Sequence, residues 1–130
     1  MMNGWFLAAG ALLFAAFFVH SFRGNTLYAA ARPDRSRLRA CDAWLMGRCG
    51  MQLIGVDLLL AAGALLSIGS GLLPRSRALE SFLWLTYCGW TVGWLLSLAA
   101  ERAQGRDLLR LCQWVLFLIV AILTGIGIFG

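Results

Sequence analysis

Four long apolar runs dominate the pattern of this 130-residue chain. They extend over Gly4–Phe22, Cys49–Leu73, Ser81–Ala100 and Leu111–Gly130. A helix that crosses a bilayer needs about 20 mostly apolar residues, and each run approaches or meets that length. Transmembrane strands would instead alternate in polarity over about 10 residues. These runs are continuous and rich in Leu and Ala, so the pattern predicts an all-α, polytopic membrane protein. Its single domain, 1–130, would hold four transmembrane helices at about 4–22, 49–73, 81–100 and 111–130.

Composition agrees. The chain is 61% hydrophobic and 13% charged, with a mean hydropathy of +0.79. Soluble domains carry about 25% charged residues, and 130 residues could not bury this much apolar surface from water. Ala29 and Ala31 offer an A-x-A pattern that would suit cleavage of a signal peptide. Met1-Met2-Asn3 carries no basic side chain, however, and Arg23 follows the first run directly, which favours retention.

All eleven cations are Arg. Six lie between the first two runs (Arg23, Arg32, Arg35, Arg37, Arg39 and Arg48) and three between the last two (Arg102, Arg106 and Arg110). The middle connection has only Arg75 and Arg77. The positive-inside rule then places the first and third connections in the cytoplasm and both termini on the exterior or periplasmic side of a bacterial inner membrane. Net charge +5 implies contact with anionic lipid rather than nucleic acid. In the first connection Pro33-Asp34 suits a helix start, and Leu38, Cys41, Trp44 and Leu45 follow near helical spacing. Arg35, Arg37 and Arg39 would meet lipid head groups. The segment reads either as a short interfacial helix or as an extension of the second transmembrane helix.

Asp57 is the candidate of greatest interest, since an acid within an apolar run is expensive unless paired, protonated or wetted. It lies on a seam with Gly50, Ala61, Ala64 and Gly71, where small residues allow close helix packing. The predicted topology puts His20, Gln52, Asp57, Ser97 and Gln113 in the cytoplasmic halves of their helices. Together they would line a proton or ligand pathway, with Asp57 and His20 as its proton or ligand groups. Alternatively, Asp57 pairs with His20, with Arg23 or with Arg48 of a neighbouring chain and only fixes helix register.

The third run carries Trp84, Tyr87, Trp90 and Trp94 along one side, accompanied by Gly89 and Gly93. Such a stripe can stack a flat ligand such as a quinone, but it more often packs against protein or lipid. Glycines near the end of the fourth run, and Gly63, Gly69 and Gly71 in the second, suggest close helix contacts. The four cysteines form no C-x-x-C motif, and one His is too few for a metal site or for haem held from both sides within one subunit. No phosphate loop or nucleophile motif occurs. The expectation is therefore a protein without cofactor or metal, and without soluble-type catalysis.

The stretch Val19-His20-Ser21-Phe22-Arg23-Gly24 resembles one found in small, uncharacterised bacterial four-helix membrane proteins. The resemblance implies the architecture and no activity. In size the chain is also similar to small multidrug exporters, but it lacks their acid in the first helix. It lacks the motifs of small fluoride channels as well. Two functional expectations remain. One is an accessory or scaffold subunit that packs against other membrane subunits. The other is a homo-oligomeric proton-coupled transporter or channel using Asp57 and His20. A quinone-binding redox subunit is a more distant third.

Overall fold

The computed structural model describes residues 2–130. It is all-helical, with 83% of residues in helix and no strand among those described. In chain order the elements are α1 (Gly4–Val19), a π-helical turn (His20–Gly24), α2 (Asn25–Ala30), α3 (Leu38–Ser70), α4 (Arg77–Ala100), α5 (Gly105–Arg110) and α6 (Gln113–Phe129). Among the described residues, three helical stretches are long and apolar enough to cross a membrane: Gly4–Ala30, Leu38–Ser70 and Arg77–Ala100. The apolar helix α6 is shorter, at 17 residues.

Helix boundaries differ from the limits of the apolar runs. The first helical stretch continues past Arg23 to Ala30, and α3 begins at Leu38, so the first connection is mostly helical. Hydropathy marks where a helix is apolar, whereas the helix itself persists as long as its backbone hydrogen bonds do. Arg39, Asp42 and Arg48 are compatible with α3 because they lie on its exposed or half-buried faces.

The chain forms two compact units, Met1–Ala9 with Leu65–Gly130, and Gly10–Ala64. In the first, α4 and α6 form a hairpin. Glu80, Leu83, Tyr87 and Thr91 recur every three or four residues along α4 and are buried. Phe117, Val120, Ala121, Thr124, Gly127 and Ile128 form the matching stripe on α6. This is the pattern of one helix face turned to a core.

Asn3 fastens the start of α1 to this unit. Its Oδ1 accepts hydrogen bonds from the backbone N–H groups of Trp5 and Phe6, at 3.1 and 3.2 Å, as a helix N-cap does. Its own backbone N–H donates to the Gly69 carbonyl at 2.8 Å, and its Nδ2 donates to the Gly127 carbonyl at 3.0 Å. Phe6, fully buried, packs where Gly69 and Gly127 leave room. The two glycine-rich helix ends thus meet the start of α1, Gly127 at the Phe6 ring and Gly69 at Leu7 and the Phe6 Cβ. Gly71 has φ +82° and ends α3, a role in which glycine meets no Cβ strain.

The second unit is a helical hairpin. The π-helical turn and α2 run beside α3, meeting it at intervals of three or four residues. Ser21 and His20 lie over Gly55, Gly24 over Met51, Asn25 beside Arg48 and Gln52, and Tyr28 beside Gly47 and Trp44.

Candidate functional site

Within the Gly10–Ala64 unit, the structure brings His20 against α3. Its Nε2 lies 2.7 Å from the Met51 carbonyl oxygen. A carbonyl only accepts, so Nε2 carries the proton in this arrangement. The contact occurs in a π-helical turn, a local widening often found at functional positions. Asp57, half-buried, lies six residues beyond Met51 on the same helix. Gln52 is exposed and donates to Asn25 Oδ1 at 3.2 Å, while Arg48 donates to the Asn25 carbonyl at 3.1 Å. Asn25 was not among the sequence candidates and Arg48 was considered only as a partner of Asp57 from a neighbouring chain, because the apolar runs stop short of both and hide the continuing helices.

Ser97 and Gln113 belong to the other unit, and both are exposed. The Ser97 hydroxyl donates to the Gly93 carbonyl one turn earlier, at 2.8 Å. Of the small residues on the Asp57 seam, Ala61 is buried, while Ala64 and Gly50 are half-buried. A Cβ at Gly50 would meet nothing within 4 Å.

The polar cluster with the deepest burial lies in the Met1–Ala9 and Leu65–Gly130 unit, and it had no counterpart among the sequence candidates. The Arg75 guanidinium holds Glu80 with two parallel hydrogen bonds, Nε to Oε1 at 2.9 Å and Nη2 to Oε2 at 2.8 Å. The Glu80 side chain is only 1% exposed, against 50% for Arg75. Arg75 also donates to the Gly127 carbonyl at 2.9 Å and stacks over Phe6, with Cζ 5.2 Å from the ring centre. Arg77 donates to the Ile128 carbonyl at 2.9 Å. Hydrogen bonding to the Glu80 carboxylate raises the Arg75 pKa further above its already high ordinary value, although burial opposes this. Both arginines therefore place positive charge on the C-terminal carbonyls of α6, where the helix dipole is negative. The sequence signal was Arg75 five residues before Glu80, with Ser76 between them as the N-cap of α4.

The aromatic stripe of α4 turns largely onto α6. Tyr87, Trp90 and Trp94 surround Phe117 at 6.2, 5.5 and 6.1 Å between ring centres, and Trp84 meets Phe129 at 5.4 Å. Trp94 also donates from Nε1 to the Leu111 carbonyl at 3.2 Å. Beside this packing lies an open groove of about 510 Å³, lined by Leu85, Thr86, Gly89, Trp90, Gly93, Trp94 and Ser97. Gly89, Gly93 and Ser97 are spaced by four residues and all are exposed. A Cβ at either glycine would touch nothing within 4 Å. Close-packed membrane helices use small residues at this spacing.

Among the described residues, no group of three or more His, Cys, Asp or Glu is arranged to hold a metal ion. The geometry defines an all-helical chain whose apolar helices are consistent with a membrane protein. Compared with family models, curated proteins and solved structures, the chain matches none.

Proposed function

We propose that the protein is a non-enzymatic, multi-pass subunit of a bacterial inner membrane, which seats a transmembrane helix of a different membrane protein against α4. The observation that carries this reading is the groove at Gly89, Gly93 and Ser97. It is a shallow, open face in which Trp90 and Trp94 accompany the small residues. Small residues at this spacing let the backbone of another membrane helix approach closely. The filling of the aromatic stripe by Phe117 and Phe129 favours packing over stacking of a flat ligand. The arginine distribution supports an orientation with the 23–48 and 101–110 segments in the cytoplasm.

The Gly89→Leu/Gly93→Leu variant tests the reading. Both glycines are exposed and an added Cβ at either meets nothing within 4 Å, so thermal stability and helix content should remain close to the parent. Native mass spectrometry of the gently extracted protein should show a stoichiometric foreign membrane subunit with the parent and its loss, by at least tenfold, with the variant. A homo-oligomer disrupted by the same substitution would replace this reading with self-association.

A second reading rests on the π-helical turn, which sets His20 against α3 at Met51, near Asp57 in sequence. In it, the protein is a proton-coupled transporter or channel. Asp57→Asn, reconstituted in vesicles, should then assemble normally but abolish proton-linked flux. Unchanged flux would sink this second reading.

A further inference from the structure

Where the basic segment after the first long helix joins α3, a pocket accompanies the charge. A cavity of about 260 Å³ opens there, lined by Arg32, Arg35, Leu38, Cys41, Trp44 and Leu45. Arg32 places its guanidinium 5.5 Å from the centre of the Trp44 ring. The ring is held in turn by a 2.9 Å hydrogen bond from its Nε1 to the Tyr28 carbonyl. Both arginines are exposed, and among the described residues neither takes part in an ion pair. The nearest acid in sequence, Asp34, uses Oδ1 to accept from the Ser36 backbone at 3.1 Å. Leu38 and Leu45 are 74% and 52% exposed, which is unfavourable in water.

Position gives these facts a common meaning. The pocket is formed by the connection between two stretches, Gly4–Ala30 and Leu38–Ser70, that are each long and apolar enough to cross a membrane, and by the first turns of the second. A connection of a few residues keeps both helix ends at the same bilayer surface. With 33 residues, α3 is roughly 50 Å long, against about 40–45 Å for a whole bilayer, so its first turns reach the head-group layer. There a tryptophan is at home, and exposed leucines face acyl chains.

We propose that this pocket binds one anionic phospholipid, with its phosphate at Arg32 and Arg35 and its acyl chains over Leu38 and Leu45. The guanidinium fork suits phosphate oxygens, and the ring of Trp44 keeps Arg32 in place to receive them. A soluble phosphate would satisfy the arginines but leave the leucines uncovered. A zwitterionic lipid would cover the leucines but bring its own cation to the arginines.

Native mass spectrometry in a neutral detergent tests the assignment. Phosphatidylglycerol, phosphatidylcholine and inorganic phosphate would be titrated separately, and inorganic phosphate would also be used as a competitor. Phosphatidylglycerol should bind at a stoichiometry of one, and Arg32→Gln/Arg35→Gln should weaken it about tenfold or more. Arg102→Gln/Arg106→Gln removes the same charge outside the pocket and should change binding less than about twofold. Leu38→Ser/Leu45→Ser should also weaken the lipid with every arginine retained. Equal losses in the two arginine variants would overturn the proposal in favour of a diffuse basic surface. Equal affinity for phosphatidylcholine, or displacement of the lipid by inorganic phosphate at matching concentration, would overturn it as well.

Discussion

Replacing Arg75 with Ala should destabilise the protein by about 2–4 kcal/mol, the largest loss from any single side chain outside the apolar core. The reason is asymmetric burial. Glu80 is sealed in the α4–α6 hairpin while Arg75 is half exposed, so the substitution leaves a carboxylate without its cation where water does not reach. Losing a partner from a fully buried pair costs about 3–5 kcal/mol, and the exposure of Arg75 lowers that figure somewhat. The variant also removes one of two donors to the Gly127 carbonyl and uncovers the face of Phe6. Glu80→Gln keeps the shape and removes the charge, so it should cost less, about 1–2 kcal/mol. Arg75→Met/Glu80→Met should recover much of the loss, since no charge is left behind. Equilibrium unfolding in a fixed detergent, titrated with denaturant, reads all four proteins on one scale. A change below about 0.5 kcal/mol for Arg75→Ala would mean that the pair behaves as an ordinary surface contact.

The second large effect is expected at Gly69 and Gly127, where a single methyl group is too much. At Gly127 a Cβ would stand 2.5 and 2.7 Å from two atoms of the buried Phe6 ring. At Gly69 it would stand 2.9 Å from the backbone nitrogen of Leu7 and 3.1 Å from the Phe6 Cβ. Alanine at either position should lower stability by about 1–3 kcal/mol through overpacking. Gly63→Ala, with nothing within 4 Å, should stay within about 0.5 kcal/mol of the parent. The two sensitive sites separate in a double-mutant cycle with Phe6→Leu. The smaller side chain relieves the clash at Gly127, where only ring atoms intrude. It leaves Gly69 unrelieved, because a backbone atom is in the way. Additive losses at Gly127 and Phe6 would contradict the packing described for α1 and α6.

The all-helical character and three of the four expected long helices were legible in the sequence because lipid imposes a coarse requirement, enough apolar residues in succession; the fourth run forms the shorter α6. The helix ends were not legible. Arg23 reads as a stop and Arg48 as an approach, yet both lie inside helices, since a charged side chain on an exposed face does not interrupt backbone hydrogen bonding. The first connection offered two readings, and the structure shows α3 beginning there. Gln52 reads as an intramembrane polar group but reaches Asn25 across the hairpin, a partner visible only once α2 is known to continue the first helix. Glu80 was missed for the opposite reason. It stands just before an apolar run and reads as connection, although it occupies the first turn of α4 and is deeply buried. The aromatic stripe could be read from spacing along one helix. Its complement, Phe117, lies on another helix, and no local period links the two.

The hydroxyl groups beside the α4 groove bear on how it would choose among partners. Thr86 donates its proton to the Phe82 carbonyl and Ser97 donates to the Gly93 carbonyl, both at 2.8 Å. Each hydroxyl is spent on its own helix and offers an incoming chain only acceptor lone pairs. The glycines contribute close approach and no polar signature. Affinity at this face would therefore come from contour, and discrimination would be modest among helices with a similarly shaped ridge. An incoming helix with a hydroxyl or amide donor at the level of Thr86 or Ser97 would gain an advantage over one that is purely aliphatic.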